Sequence, residues 1–260
     1  MVRHVPLTLT SIHFPVVRVG QELSSVVAAS LANEGVTPER GDVVAVASKV
    51  VSTCEGRIVT LRSVRVSPRA KRLARKWKID PYLTSIVLRE ADEIFGGVPG
   101  FLLTVKNGIL TPNAGVDLKN SPPGMATLWP GNPDRSAQSL RASLERRYTI
   151  RVGVEIVDSH VTPLRLGTVG LAIGVSGFLP VLDSRKRSDL FGRMIKVTQT
   201  NVADDLAAAA QLLMGEAAER VGAVLIRGAP VTLSNSGYSK LAKLNRDKCL
   251  IASSLGTGYS

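Results

Sequence analysis

The sequence predicts a mixed α/β (α+β) fold, and three observations support that class. Strand-like and helix-like segments alternate irregularly along the 260 residues, without a regular βαβ repeat. No segment recurs with a period of about 20–50 residues, which argues against a repeat protein. Hydrophobic residues make up 44% of the chain but aromatic residues only 4%, so the core must consist mainly of aliphatic side chains. A chain of this length suits one large domain or two interleaved lobes.

The first half of the chain contains a helix, a strand and a hairpin. Residues 21–35, QELSSVVAASLANEG, predict an amphipathic helix that ends at Gly35. Residues 41–49, GDVVAVASK, predict a turn and then a buried strand that ends near Ser48 and Lys49. FLLTVKNGILT predicts a hairpin, because its Asn-Gly pair supplies the two positive-φ residues of a type I′ turn.

The second half begins with a helix over NPDRSAQSLRASLERRY, whose acidic start and basic end match the helix dipole. RVGVEIVDS alternates as a strand and should deliver Asp158 and Ser159 at its carboxyl end. NVADDLAAAAQLLMGEAAERVG is the strongest helical segment, with Asn201 as its cap and Gly215 interrupting the pattern. AVLIRG predicts another buried strand, and residues 231–260 a polar, weakly structured appendage.

The positive charge of the chain, +12 overall, is concentrated in one segment. Eight basic and no acidic residues lie between Arg62 and Lys78, and SPRAKRLARKWK predicts a helix capped by Ser67. One interpretation is a surface for RNA or another polyanion. The other is an ordinary solvated helix face, which we favour because no aromatic stacking residues or recognition motif accompany it. Nucleic acid is therefore an unlikely partner.

The composition favours an intracellular, cytoplasmic protein. The start, MVRHVPLTLT, lacks the apolar run of a signal peptide, and Cys54 and Cys249 are too few for a disulfide scaffold. The uncharged run Leu166–Leu182 is barely long enough to span a membrane and contains four glycines and a proline. Buried strands and turns explain that run better than a membrane helix.

Several common site chemistries find no support in the sequence. There is no G-x-x-x-x-G-K-S/T phosphate loop, and GTVGLAIG does not match the G-x-G-x-x-G dinucleotide motif, so neither a P-loop nor a Rossmann enzyme is predicted. His4, His13 and His160 are too far apart to form a zinc motif. The remaining candidate donors are carboxylate and hydroxyl oxygens.

Carboxylates at the predicted element boundaries are the candidate ligands of a hard cation. Asp117 lies in the polar loop TPNAGVDLKN after the hairpin, Asp158 at a strand end, and Glu216 after the alanine-rich helix. Mg²⁺ prefers such oxygens and completes its shell with water and phosphate, and Ser159 could add a hydroxyl. The alternative is that these residues are ordinary caps and turn formers.

Five segments, taken in order, resemble the coenzyme F-420 gamma-glutamyl ligases (the CofE family). NAGVD followed by Asn120 is similar to the family segment NAGID-x-SN, and GDVVAVASKVVSTCEGR, SDLFGR, ADDLAAAAQLLMGE and LIRG match further family segments. Together they span roughly residues 12–228. The resemblance implies the fold of that family, not a P-loop or Rossmann fold, with two interleaved lobes. One would comprise residues 1–82 with 199–260, and the other the inserted residues 83–198.

The resemblance also implies an activity. Family members are similar in joining a carboxylate of a phosphorylated deazaflavin coenzyme precursor to the amine of L-glutamate. GTP first phosphorylates the carboxylate, and the amine then attacks the acyl phosphate. Two Mg²⁺ or Mn²⁺ ions, with K⁺ as an additional candidate, and a homodimeric assembly belong to the same expectation.

The resemblance implies a set of site residues as well. The catalytic residues would be Lys49, Asp117 and Asp158, although without the resemblance Lys49 would be taken for an ordinary surface lysine. The metal ligands would be Asp117 and Asp158 for one ion and Ser159 and Glu216 for the other. The expected nucleotide contacts are Phe14, Pro15, Val16, Val17, Ser48, Lys49, Asn120, Met214, Gly215, Glu216, Ala217, Ala218, Glu219, Arg220 and Val221.

The chain departs from the family around the expected substrates. Relatives usually carry a lysine in place of Thr53, and Gly, Arg and Trp in place of Val161, Thr162 and Leu164. A glycine is usual where this chain has Lys186. The proposed metal ligands all remain, so the alternatives to the deazaflavin ligase are a relative that joins a different acid and amine, or a non-catalytic polyanion-binding protein.

Overall fold

A five-stranded sheet forms the centre of the molecule in the computed structural model, which describes residues 6–235, 237 and 242–255. Its strands lie in the order β1 (Thr8–His13), β12 (Val221–Arg227), β2 (Val43–Ala47), β8 (Gly153–Val161) and β9 (Thr168–Ser176). β2 and β8 are parallel, and every other neighbouring pair is antiparallel. The sheet thus combines parallel and antiparallel pairs. Together with the helices described next, it confirms the predicted mixed α/β class.

Helices cover both faces of this sheet. α6 (Val202–Met214) packs on one face, where its backbone approaches Gly170, while α1 (Leu23–Asn33) and α5 (Pro133–Tyr148) cover the other, where α5 meets Gly174. The buried cluster between these layers consists almost wholly of Val, Ile, Leu and Ala side chains. The prediction of an aliphatic core is confirmed.

A second hydrophobic cluster lies between residues 58 and 128. It combines α3 (Pro68–Trp77) and α4 (Pro81–Glu90) with a three-stranded sheet of β4 (Glu93–Val98), β5 (Phe101–Lys106) and β6 (Ile109–Pro112), and with the pair of β3 (Ile58–Thr60) and β7 (Met125–Thr127). Val64 and Ile79 pack in the same cluster as Leu83 and Leu128. The predicted lobe boundaries at residues 82 and 198 stay a prediction.

Most predicted elements form for the predicted reasons. α1 is followed by Gly35 with φ +66°, and the hairpin turn uses Asn107 at φ +50° and Gly108 at φ +72°. Ser67 caps α3, since its hydroxyl accepts the amide N–H of Ala70 at 3.1 Å. The basic side chains of α3 lie on its exposed faces. The polyanion surface stays a prediction.

Two predicted boundaries were wrong, and one helix was not predicted. β8 does not end at Ser159 but continues to Val161, because it pairs with β9 as far as Thr168. α6 ends at Met214, since Gly215 takes a backbone conformation outside the helical region, so residues 215–220 form a loop. An additional helix, α2 (Ser48–Cys54), begins directly after β2.

The uncharged run of residues 166–182 forms β9 and the start of β10 (Val181–Asp183), which pairs with β11 (Gln199–Asn201). Among the described residues, no helix combines the length and apolarity that a membrane crossing requires. The connection between β10 and β11, residues 184–198, exposes the large apolar side chains of Leu190, Phe191, Met194 and Val197. We call this connection the arm.

The C-terminal tail contacts α5 and the segment after β9, and also strand β4. Next to α5 and β9, Arg141 donates to the side chain of Asn235 at 3.1 Å and the Ser234 amide donates to the Gly177 carbonyl at 2.8 Å. At the second cluster, the Arg246 guanidinium contacts Glu93 at 2.6 Å and lies over the Phe95 ring. Short helix α7 (Leu250–Ser254) follows, and residues 236, 238–241 and 256–260 of the predicted appendage lie outside the described residues.

One buried carboxyl group is unusual for its position in the core. Glu155 on β8 is fully buried, and neither of its carboxyl oxygens has a hydrogen-bond partner. Burial, reinforced by the negative charge of Asp204 on α6, raises the pKa of Glu155 well above its ordinary value of 4.5. Burial likewise raises the pKa of Asp204, to about 6.

We expect Glu155→Gln to stabilise the protein increasingly as the pH rises. A folded-state pKa above the unfolded value means that the stability contribution of Glu155 is full below about pH 4.5 and is lost as the pH rises towards the folded value, by about 1.4 kcal/mol per pH unit. Glutamine cannot ionise, so the melting temperature difference between variant and wild type should grow from pH 5 to pH 8. Glu145→Gln, at a partly exposed position on α5, is the control; a difference that does not depend on pH at position 155 would contradict the prediction.

Candidate functional site

Four strands present their ends at one edge of the central sheet. β2 and β8 run parallel, so their carboxyl ends meet there, and β1 ends at the same edge because it is antiparallel to β12. β12 begins at this edge, just after the loop that follows α6. Crevices outside the carboxyl ends of strands are common ligand sites in open α/β sheets.

A cavity of about 410 Å³ lies along this edge. Its walls come from the segment after β1, the junction of β2 and α2, the end of β8, and the loop between α6 and β12. The lining residues are Phe14, Pro15, Val16, Val17, Ala47, Ser48, Lys49, Val50, Thr53, Asn120, Val157, Asp158, Ser159, Gln211, Met214, Gly215, Glu216, Ala217, Ala218, Arg220, Val221 and Gly222.

Asp158 is held by two donors from other elements. The Ser48 hydroxyl donates to its Oδ1 at 2.6 Å, and the Trp129 indole N–H donates to its Oδ2 at 2.5 Å. Burial raises the pKa of Asp158 in spite of these hydrogen bonds. Successive residues of a strand face opposite sides of the sheet. Ser159 pairs with Gly170, which faces α6, so Ser159 lies on the α6 side and Asp158 on the opposite, α5 side.

Asp117 is paired with Lys49. The turn that carries it is left-handed at Asn113, Ala114 and Gly115, and its backbone pairs with Thr127. The Lys49 ammonium donates to Asp117 Oδ2, and the Lys119 amide donates to Oδ1 at 2.8 Å. Burial acts to raise the pKa of Asp117, but the Lys49 charge and these hydrogen bonds outweigh it, and the pKa lies below its ordinary value.

Glu216 joins the same polar network from the opposite side. Lys119 donates to its Oε2 at 2.7 Å, while the Thr168 hydroxyl at 3.0 Å and the Gln211 amide donate to Oε1. The hydrogen bond to Glu216, together with the charges of Asp117 and Asp158, raises the pKa of Lys119. Asn120 donates to the Ala217 carbonyl at 2.8 Å, so the loop after Asp117 contacts the loop after α6.

The donor set suits hard cations in its chemistry. Three carboxylates and the Ser159 hydroxyl supply oxygen ligands of the kind that Mg²⁺ and Mn²⁺ prefer. Two ammonium groups, those of Lys49 and Lys119, now lie against these carboxylates, which indicates that the network stabilises positive charge. In this conformation no three His, Cys, Asp or Glu side chains of the described residues are close enough to form a metal cluster.

The predicted site residues thus largely converge. Asp158, Ser159, Glu216 and all expected nucleotide contacts except Glu219 line the cavity, while Asp117 joins it through Lys49. Glu219 instead accepts the Ala217 amide at 2.8 Å within its own loop. Thr53 lines the cavity, and its hydroxyl donates to the Lys49 carbonyl at 2.8 Å. Leu164 is fully exposed in the loop between β8 and β9, away from the cavity lining.

The sequence did not predict several neighbours of these residues. Trp129, Lys119, Thr168 and Gln211 all bond directly to the carboxylates of Asp158 or Glu216. Only the rarity of tryptophan in this chain could have drawn attention to Trp129, and no local pattern distinguishes the other three.

Comparison with known proteins gives consistent matches. The profile of the family described as F420-0:Gamma-glutamyl ligase matches residues 11–228. A coenzyme F420:L-glutamate ligase of Methanopyrus kandleri is 43% identical over 213 residues, covering 82% of each chain. The protein of the same name from Methanothermobacter thermautotrophicus is 37% identical over 83% of this chain and 86% of its own. That of Archaeoglobus fulgidus is 38% identical over 90% of each.

Proposed function

The chain belongs to the F420-0:gamma-glutamyl ligase family, and we propose that it joins L-glutamate by an amide bond to a carboxylate of the phosphorylated deazaflavin precursor, at the expense of GTP. The observation that carries the proposal is the convergence of Lys49, Asp158 and Glu216 on one cavity at the strand ends, with Asp117 bonded to Lys49. Each comes from a different part of the chain.

Amide formation from a carboxylate needs activation, because the group is anionic and its oxygen is a poor leaving group. In the proposed reaction, a carboxylate oxygen takes the γ-phosphoryl group of GTP and GDP leaves. The glutamate nitrogen then attacks the carbonyl carbon of the acyl phosphate, phosphate leaves with the bonding electrons, and the nitrogen loses a proton. Both steps bring anionic groups together, so catalysis must come mainly from positioning and positive charge.

The site residues would bind different groups in this reaction. Asp117 and Asp158 would hold one divalent ion, and Ser159 and Glu216 a second. Such ions, when bound, neutralise the charge that develops on phosphate oxygens. Lys49 and Lys119 add two ammonium groups beside the cavity, and each can bind a phosphate as a point charge. Asn120 and the loop 214–221 would contact the nucleotide.

A second copy of the chain is part of the proposal. The arm exposes Leu190, Phe191, Met194 and Val197, with Leu190 99% and Phe191 85% accessible. Exposed apolar side chains grouped in this way commonly mark an interface between proteins. A homodimer covering the arm would remove them from water.

Thr53 favours a second candidate, a ligase of the same chemistry that accepts a different acid or amine. This uncharged side chain lines the cavity, and its hydroxyl is already bonded to the Lys49 carbonyl. An uncharged side chain at the cavity wall would bind an anionic group less strongly than a lysine at the same position would. Phosphate release with a panel of acids and amines distinguishes the two candidates.

We expect GTP with Mn²⁺ to raise the melting temperature, because a ligand that binds only the folded state stabilises it. At a hundredfold excess over Kd the gain is about 2.7 kcal/mol, or about 5–10 °C for a chain of this size. Mn²⁺ alone and GTP alone are the controls, and ATP tests the choice of nucleotide. Phosphate release should require both L-glutamate and the deazaflavin; absence of nucleotide stabilisation and of phosphate release with every acceptor would refute the ligase.

A further inference from the structure

Trp129 lies between the two segments that carry Asp117 and Asp158. Only 3% of its surface is exposed, and its indole N–H donates to Asp158 Oδ2 at 2.5 Å. The indole ring also contacts the left-handed turn before Asp117, because a Cβ built on Gly115 would overlap its Nε1, Cδ1 and Cε2 atoms. One side chain therefore contacts both segments.

The backbone at Trp129 is itself held by hydrogen bonds to Arg57. The Leu128 amide donates to the Arg57 carbonyl at 2.9 Å, and Arg57 Nε donates back to the Trp129 carbonyl at 3.0 Å. Arg57 is anchored in turn by Glu90, whose carboxylate accepts from Nη2 at 2.6 Å. The backbone that carries the indole is thus held on both sides by one arginine residue.

The turn that rests on the indole is equally constrained. The Asn113 side chain accepts the Leu102 amide at 2.9 Å, and the buried Thr104 hydroxyl accepts the Ala114 amide at 2.8 Å. Gly115 follows at φ +71°, a conformation that favours glycine. Asp117 is two residues further along, so a shift of Gly115 away from the ring would also move the Asp117 carboxylate.

We propose that Trp129 is a positioning residue that sets the carboxylates of Asp117 and Asp158 relative to each other. The indole N–H orients the Asp158 carboxylate, and contact with the ring fixes the position of the turn that carries Asp117. What the two carboxylates do rests on the proposed function, but their relative placement by Trp129 does not. Replacing a residue that orients metal ligands commonly lowers metal affinity or activity by about tenfold or more.

The first experiment needs no ligand. The chain has two tryptophans, and the indole N–H of Trp77 is buried without a partner. In a protein labelled with ¹⁵N-tryptophan, Asp158→Asn and Gly115→Ala should each shift the indole resonance of Trp129 and leave that of Trp77 in place. Gly124→Ala, at a glycine with open space around its Cα, should shift neither. A Trp129 resonance unchanged by Asp158→Asn would overturn the proposal.

The second experiment measures the consequence at the cavity. Trp129→Phe removes the N–H and should weaken Mn²⁺·GTP binding, or lower kcat, by about tenfold or more. Trp77→Phe removes an unpartnered N–H and should behave as wild type. If Trp129→Phe binds and turns over like Trp77→Phe, the positioning role is wrong while the ligase stands. If Mn²⁺·GTP does not bind even to wild type, the proposed function is wrong, and the indole resonances still decide the role of Trp129.

Discussion

Replacing Asp158 with asparagine should lower the rate of amide formation by about a hundredfold or more, because the proposed cation would lose a negatively charged ligand worth several kcal/mol in the transition state. The carboxylate lies at the cavity, between donors from Ser48 and Trp129. Asparagine keeps the size of the side chain and one acceptor oxygen, so the fold should remain intact. The loss should therefore appear mainly in turnover and in nucleotide-driven stabilisation, while the free protein should lose at most about 1–3 kcal/mol through the missing acceptor.

Three measurements test this expectation: phosphate release, the melting temperature with and without Mn²⁺·GTP, and circular dichroism of the free protein. Asp247→Asn makes the same exchange on an exposed carboxylate of the tail and should change none of them. An Asp158→Asn protein that retains wild-type turnover would remove this residue from the site. A variant that does not fold would instead indicate a structural role.

Gly115→Ala should destabilise the protein strongly, by about 2–5 kcal/mol. The left-handed backbone at φ +71° costs about 1–2 kcal/mol for any residue with a Cβ. The added methyl would also overlap the indole of Trp129, which is buried and cannot move away, and overpacking of this kind costs about 1–3 kcal/mol. Urea unfolding at constant pH measures the sum.

Gly124→Ala provides a matched control for the second term. Gly124 has φ +75°, close to that of Gly115, but no atom lies within 4 Å of a Cβ built on it. The Gly124→Ala variant should lose only the backbone contribution to the free energy of unfolding, about 1–2 kcal/mol. Equal losses at the two positions would mean that the turn does not rest on Trp129. The double variant Gly115→Ala, Trp129→Phe should lose less than the sum of the two single variants, since the smaller ring relieves the overlap.

The sequence predicted correctly those turns and helix ends that depend only on neighbouring residues. The Asn107-Gly108 turn, the Ser67 cap of α3 and the stop at Gly35 depend on residues within a few positions of each other, and all form as predicted. The length of β8 depends on its partner β9, and that pairing is absent from the pattern of either strand alone. For this reason the sequence placed Asp158 at a strand end, whereas the strand continues to Val161.

The candidate site shows the same division. Their places at predicted element boundaries already singled out Asp117, Asp158 and Glu216, and the resemblance assigned them roles because they lie in motifs of fixed spacing. It did not supply Lys119, whose bond to Glu216 joins residues 97 positions apart, or Trp129, whose bond to Asp158 joins residues 29 positions apart. Such contacts follow from the packing of β7, α6 and β8, and no single segment specifies them.

The tail has a mechanical consequence for the second cluster. That cluster is joined to the central sheet by two chain segments, near residues 56 and 130, which lie side by side where Arg57 bonds to Trp129. The bonds of Lys119 to Glu216 and of Asn120 to Ala217 join the two parts again beside the cavity. Arg246, bound to Glu93 on β4, adds a contact from the tail. Because the tail follows β12 of the central sheet, this ion pair is a further restraint between the two parts of the molecule.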